Sequence, residues 1–532
     1  MAGDFDKACG LIDFYNCRRI AMAVANFFSR ASVAAAHVLD GFDDSAFVKR
    51  VSRCTAAVAF DANAASTSEG VAALELSIDL FARFYPTLAI IALDGDPLTT
   101  ALQLKLRSLA HKINPVIDLD GKLRKAACCL VLGRTGLAGD VPRVFVGSEG
   151  WTAKLSLQSP VGSADTRNPF GAAFAACLGV ANVFRKVFAD QLPHGGTDDE
   201  IELDVLHYSH ESSSTGVALP DVIDIGETHL VGVGAIGRAA VWGLARTGGL
   251  TGRLHLIDSE TIELSNLQRY VGTISKSVNK IKVKSAAALL ADRPGLSVVP
   301  HYKRWGEYLR ERANCNLETI AVALDSAADR VAVQASLPRR IVNAWTQPGD
   351  LGVSRHGFVA GPCLMCLYLP TGKVPNESDL VARALRLPEP EIRTLLHIGA
   401  TVDGSLVQRI SDAAGVPLGD LVGFVGLPLR VFYSKAVCGT TVFGSPDGGE
   451  RGAMAVPMAF QSALAGVLLA AELIENTLKL RRSVVPPVSK INLMRPLGRL
   501  LNEPAAKHSS GRCICQDPVY VDAYTRKFSA AH

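Results

Sequence analysis

The sequence has no long uninterrupted apolar run. Hydrophobic residues make up 48% of its 532 residues, yet no stretch reaches the roughly 18 apolar residues of a bilayer span. The nearest, MAFQSALAGVLLAAELI, carries Gln461, Ser462 and Glu472. The opening residues, MAGDFDKACGLIDFYNCRR, contain no apolar signal core. A cytoplasmic address and no membrane partner are therefore expected. Charge of one sign is scarce too: 55 Lys and Arg face 51 Asp and Glu, a net of +4. That is too little to argue for nucleic acid. Twelve cysteines are too few for a disulfide scaffold of this length. In a reducing compartment, clustered ones suggest a metal and lone ones packing or catalysis. The length exceeds one ordinary core, so two or three domains are expected.

The stretch from His229 to Arg269 organises what is there. Leu230 to Val233 is a short apolar run leading into Gly232-x-Gly234-x-x-Gly237. Val241, Leu244 and Ala245 then lie on one helical face, and a second apolar run, Leu254 to Ile257, ends at Asp258. Strand, glycine turn, helix, strand and acid make a mononucleotide-binding βαβ unit. The glycines let the backbone approach a phosphate, and the helix N-terminus offers unpaired N–H groups and partial positive charge. Asp258 is placed to bind ribose hydroxyls. This unit alone leaves a dinucleotide and ATP both open.

The residues after it carry a resemblance. Asp258-x-Glu260-x-Ile262-x-x-Ser265-Asn266-Leu267-x-Arg269 resembles the signature of the ThiF/MoeB and ubiquitin-activating enzyme family. Lys282 stands where that family has a lysine opening a helix, between Lys280 and Lys284 as rivals on the same helix. Asp325-Ser326, with Arg330 beyond, resembles its strand-end acidic segment, and Cys363-x-x-Cys366 its first zinc half-site. Cys513-x-Cys515 stands where the second half-site is expected, one residue shorter than the usual pair. The resemblance covers residues 225–520. It implies an α/β fold: a Rossmann-like adenylation domain preceded by a second α/β domain.

The resemblance also implies chemistry. Gly232, Gly234 and Gly237 would cradle phosphate, Asp258 hold ribose, and Asn266 support the phosphates. Arg269 and Lys282 would neutralise the phosphates, and Asp325 would hold magnesium. Cys363, Cys366, Cys513 and Cys515 would hold zinc. Cys438, in YSKAVCG, is the candidate nucleophile, with a small core residue as the rival reading. The cofactors implied are ATP, magnesium and zinc. The partners are a ubiquitin-like protein, through its C-terminal tail, and a conjugating enzyme. The resemblance extends to bacterial ubiquitin-like conjugation operons linked to antiphage defence. A sulfur-carrier adenylyltransferase without a protein thioester and a non-catalytic nucleotide-binding scaffold remain alternatives.

Residues 1–200 read as an α/β domain, with strands at Ala56–Phe60, Ala89–Leu93, Cys129–Leu132 and Arg143–Val146 and helices at Val71–Tyr85 and Thr99–His111. Leu93-Asp94-Gly95-Asp96 echoes the end of a second Rossmann strand, but no GxGxxG precedes it. Two readings stand: an inactive pseudo-adenylation domain, or an unrelated domain that positions a partner. The first makes the chain a self-contained pseudo-dimer; a homodimer is the other arrangement. Residues 201–225 read as a linker, in which His207 and His210 are expected to face solvent rather than a metal. The active domain follows over 226–532, with a helical insertion at about 375–430. Arg18 or Arg19 is the weak match for an arginine supplied by the other half, with a solvated surface arginine as the rival.

Overall fold

The computed structural model describes residues 27–211, 216–369, 376–433, 436 and 456–529. It divides into two compact units, Met1–Tyr368 with Pro457–His532, and Leu369–Val456. The larger unit holds two sheets. The first is built from β1 (Thr55–Phe60), β2 (Leu88–Ala92), β3 (Ala126–Leu132), β4 (Arg143–Glu149), β5 (Thr152–Ser156) and β6 (Glu200–Asp204), in the order β2-β1-β3-β4-β5-β6. The second uses β7 (Ile223–Val231), β8 (Leu250–Ile257), β9 (Leu296–His301), β10 (Thr319–Val322), β11 (Arg340–Thr346), β12 (Leu351–His356), β13 (Val488–Ile491) and β14 (Asn502–Glu503). Its order is β14-β13-β12-β11-β10-β7-β8-β9.

The two sheets share one plan. In the first, β2, β1, β3 and β4 are parallel and β5 and β6 antiparallel. In the second, β8, β7, β10 and β11 repeat the parallel set, and β12 and β13 the antiparallel one. Helices occupy matching places. α1 (Phe28–Ala36) precedes the first sheet, α2 (Ser68–Ala82) follows β1, and α3 (Phe170–Val187) links β5 to β6. In the second half α4 (Ala235–Arg246) follows β7 and α7 (Ala459–Leu478) precedes β13. Between them come α5 (Lys282–Ala287) and α6 (Ala327–Ala335). Parallel strands buried on both faces explain the runs of apolar residues in β1, β3 and β10. Among the described residues the first sheet has no strand in the place of β9.

α2, α3, α4 and α7 pack between the sheets through small residues. A Cβ on Gly466 of α7 would lie 2.2 Å from the Ile236 carbonyl of α4, so these helices touch backbone to backbone. Phe184 and Phe460 meet at 5.7 Å between ring centres. A buried carboxylate locks the same interface. Glu472 accepts from the Tyr208 hydroxyl at 2.6 Å and from Arg355 Nε at 2.6 Å, and pairs with Arg481. Burial alone would raise its pKa, but the two guanidiniums outweigh that and hold it well below the carboxylate range. α3 is the one described helix long and apolar enough to cross a membrane, and here it is core.

Three expectations need correction. The span expected as linker begins with β6, whose alternating Ile201-Glu202-Leu203-Asp204 pairs with β5. His207 does not face solvent: it is buried, with Nδ1 2.8 Å from Asp204 Oδ2. His210 is exposed and sits 3.1 Å from the Gly498 carbonyl. α2 also starts earlier than its apolar period, because Thr67 accepts the Gly70 amide at 3.2 Å and caps it.

The smaller unit is helical, with helices Glu377–Leu385, Glu389–His397 and Gly404–Ala414 and shorter turns at Leu418–Leu421 and Leu429–Phe432. Its core is Val381, Leu385, Ile392, Ile410, Leu421 and Phe432. Cys438 lies outside the described residues, as do Arg18 and Arg19.

Candidate functional site

The site forms at the C-terminal ends of β7, β8 and β10. Gly232 follows β7 with φ +90, and a Cβ there would lie 2.5 Å from the Ala323 carbonyl. Gly237, in the first turn of α4, would meet the Gly232 carbonyl at 2.0 Å. Only glycine fits either place. Gly234 caps α4 and leaves its first amides unpaired by any side chain. Asp258 follows β8 and accepts the Val233 amide at 2.8 Å and the Glu260 amide at 2.9 Å. Burial pushes its carboxyl above the ordinary range, against the pull of Lys282 and those amides.

Three cations converge beside this turn. Lys282 opens α5 and is 5% exposed, while Lys280 and Lys284 face solvent. Its Nζ pairs with Glu260 and lies 5.3 Å from the Tyr270 ring centre. Burial would lower its pKa, but Tyr270, Asp258 and Glu260 together raise it, so it is a cation. Arg269 leaves Nη1 buried with no hydrogen-bond partner. Burial lowers its pKa, and Tyr270 and Asp325 partly restore it. An orphaned buried guanidinium nitrogen is costly unless an anion completes it. The third cation was not singled out from the sequence. Arg30 of α1, from the N-terminal half, has its pKa lowered by burial and then by Arg269, with Glu263 opposing. In the sequence it is one arginine in an alanine-rich helix, and nothing there marks it.

The acids and amides divide between roles. Asp325 is exposed just past β10. Its loop is fixed from behind by Arg330, whose Nε donates to the Leu324 carbonyl at 3.0 Å, and by Ser326, which caps α6 through the Asp329 amide at 3.0 Å. Asn266 accepts the Glu263 amide at 3.0 Å, so part of its capacity goes to shaping its own turn.

The four sequence-picked thiols come together. Cys363 Sγ lies 3.9 Å from Cys366 and 3.3 Å from Cys513, and Cys366 lies 3.4 Å from Cys513 and 3.5 Å from Cys515. Four sulfurs tetrahedral about zinc at about 2.3 Å stand about 3.8 Å apart, so the set fits that ion closely. The shorter C-x-C spacing is no obstacle, because a 3-10 turn at Ile514–Gln516 brings Cys515 round. The Cys363 thiol, more than any other group, pulls Cys366 below the ordinary thiol value. Glu227, His229 and His255 also converge. There the cation is already a side chain: Arg312 Nη1 lies 3.0 Å from Glu227, 3.2 Å from His229 Nε2 and 2.7 Å from the Tyr308 hydroxyl.

The N-terminal half shows the same edge filled. Strand register sets Phe60 opposite Leu132 in β3 and Val231 opposite Val322 in β10, so Asp61 stands where Gly232 does. Its carboxylate accepts the Arg134 and Thr135 amides at 2.7 Å each and the Ala64 amide at 3.2 Å. Asp94 accepts the Ala62 amide at 2.7 Å, as Asp258 does that of Val233.

Comparison with known proteins follows this division. Residues 223–513 match the ThiF family, and residues 59–189 match Prokaryotic E2 family C. An uncharacterized protein of Sinorhizobium fredii, y4jF, is 46% identical over 512 residues, 95% of this chain and 98% of that one. The adenylyltransferase and sulfurtransferase uba4 of Aspergillus terreus is 30% identical over 151 residues, 26% of this chain and 31% of its own. A crystal structure of E. coli MccB with MccA-N7isoASN gives a TM-score of 0.35 at 15% identity, covering 55% of this chain and 67% of that one. A likeness that slight carries no argument.

Proposed function

The chain belongs to the ThiF family, and from that premise we propose that it activates the C-terminal carboxylate of a ubiquitin-like protein with MgATP. The observation that carries this is the orphaned, buried Arg269 Nη1, which shares the Tyr270 ring with Lys282 next to a turn that only glycine can make. Gly232, Gly234 and Gly237 would take the phosphates, and Asp258 the ribose. Asp325 would hold magnesium, which screens the phosphate charge when bound. Arg269, Lys282 and Arg30 would stabilise the charge that builds on pyrophosphate. A carboxylate oxygen attacks the α-phosphorus, the bond to the β-phosphate oxygen breaks, and pyrophosphate leaves. The thiolate of Cys438 then attacks the acyl carbon, AMP leaves, and a thioester is ready for a conjugating enzyme. The thiol's proton goes to solvent. Cys363, Cys366, Cys513 and Cys515 would hold a structural zinc that ties the C-terminal segment down. We place the reaction in the cytoplasm.

The first half is read as a pseudo-adenylation domain. Its Asp61 carboxylate supplies from within the anion that its amides would otherwise take from a nucleotide. The likeness of residues 59–189 to an E2 family raises conjugating chemistry as an alternative. Against it, Cys54, Cys128, Cys129 and Cys177 are all buried. Burial pushes the first three up to about 11, 12 and 12 and the last higher still. Such thiols are not nucleophiles at neutral pH.

The test is a mixture of the chain, MgATP and a panel of ubiquitin-like proteins with free C-terminal carboxylates. Labelled pyrophosphate should exchange into ATP, and a thiol-sensitive adduct should form. Cys438→Ala should lose the adduct and keep exchange. Exchange without any adduct in the wild type would favour a sulfur-carrier adenylyltransferase. An adduct surviving Cys438→Ala would move the nucleophile elsewhere, with Cys315, the one exposed thiol among the described residues, tested next.

A further inference from the structure

The turn that carries Arg269 and Tyr270 is held from the other half of the molecule. Asp79 and Arg83 stand four apart at the end of α2, one turn of helix, and their side chains are 4% and 0% exposed. Arg83 Nε donates to Asp79 Oδ1 at 2.7 Å and Nη2 to Oδ2 at 3.2 Å. The remaining donors cross to the second half. Nη1 reaches the Leu267 carbonyl and Thr273 Oγ1, and Nη2 reaches the Thr273 carbonyl at 2.9 Å. Asp79 Oδ2 in return accepts the Gly272 amide at 3.0 Å. From the opposite side Arg238 of α4 donates to the Val271 and Gly272 carbonyls at 3.0 Å each.

Three buried side chains thus fix the backbone on both sides of Arg269 and Tyr270. Charge-assisted bonds of this kind are directional as well as strong. The turn also reaches the phosphate cradle. A Cβ on Gly234 would lie 3.5 Å from the Tyr270 hydroxyl, and Lys282 stacks over the Tyr270 ring. A shift of this turn would therefore move Arg269, Tyr270 and Lys282 together.

We propose that Asp79 and Arg83 are positioning residues that preset Arg269 and Tyr270 for the nucleotide's phosphates. The N-terminal half then contributes to the site of its neighbour without holding a nucleotide. This rests on the ATP-binding reading above, and the test separates the two. MgATP affinity is measured by calorimetry on the full chain for wild type, Arg83→Met, Arg269→Ala and the double variant. Amide hydrogen exchange over residues 265–273 is measured without nucleotide. Arg83→Met should weaken MgATP roughly 10- to 100-fold, as for a reacting group misplaced by about 1 Å. It should speed exchange in this turn and leave α3 unchanged. On the Arg269→Ala background it should add less than about twofold, because both act through one element. Full additivity, or unchanged exchange in the turn, overturns the proposal. If Arg83→Met does not fold, Arg83→Lys, which keeps the charge but loses the fork that reaches Leu267 and Thr273 together, should give the same pattern at smaller size. If the wild type binds no MgATP, the nucleotide reading fails, and hydrogen exchange alone still decides whether the pair holds the turn.

Discussion

After β7 the chain makes a glycine turn with φ +90, and no side chain caps α4; after β1 it places Asp61 in the same register, and its carboxylate takes the Arg134, Thr135 and Ala64 amides. The strands around the two turns are alike in order and direction, and both halves keep an acid, Asp258 or Asp94, bonded to the amide just past the turn. The difference lies in what the fold was given to do there. The second half has 258–301, with Arg269, Lys282 and β9. The first goes from β2 through the helix Pro97–Ile113 straight to β3. On the reading proposed above, the shared strand plan does not by itself make a nucleotide site. The cradle needs an unfilled turn and cations to complete it.

The largest expected break in this contrast is at Lys282. Lys282→Ala should lower ATP–pyrophosphate exchange roughly 10²- to 10³-fold, and Asp325→Ala comparably, since both act on developing phosphate charge. Asp94→Ala, the matching acid in the first half, should leave the exchange rate within about twofold. A large loss there would mean the first half holds a working site. Metal sharpens the same contrast, because the four-thiol cluster belongs to the second half alone among the described residues. Purified protein should carry about one zinc per chain. Cys513→Ser should lower both that content and the melting temperature. A stable, metal-free wild type would refute the site.

A smaller effect is expected at Asp61. Asp61→Ala leaves the buried Ala64 amide and the Arg134 and Thr135 amides without their carboxylate and should cost about 1–3 kcal/mol of stability, read by thermal unfolding, while MgATP affinity through the second half is unchanged. The smallest is a pH effect. His229, His255 and His301 stack across β7, β8 and β9. Burial above all, then neighbouring His255 and Arg312, brings His229 down to about 3; His255 and His301 are lowered too. With their pKa values lowered in the folded state, the unfolded chain binds more protons below the ordinary value of 6.5, and stability falls as pH drops through that point. Glu472 adds to the same trend, since its depressed pKa contributes stability that is lost as pH falls below about 4.5. Melting temperatures at pH 7.5, 6 and 4.5 should decline, and His229→Gln should flatten the upper part of that slope.

Much of the second half was legible because its signals are local. Gly232, Gly234 and Gly237 announce their turn by spacing, Asp258 by its strand, and Lys282 by standing first on a helix. The four cysteines were legible as two pairs, although only the fold shows that C-x-C closes the set. What was hidden depends on contacts far apart in sequence. Arg30 is 239 residues from Arg269 and looks like any surface arginine. Asp79 and Arg83 read as an ordinary i,i+4 helix pair until their remaining donors are seen to cross to Leu267 and Thr273. Asp61 shows no motif at all, since a carboxylate that replaces a ligand leaves no trace in spacing. Strand β6 was missed because its alternation is only five residues long and borders a polar run.

The claim at the centre is that one half of the chain binds nucleotide and the other is closed to it. Calorimetric titration of the full chain with MgATP should give one site per chain, lost in Lys282→Ala and unchanged in Asp61→Ala. Two sites in the wild type, or binding that survives Lys282→Ala, would contradict it.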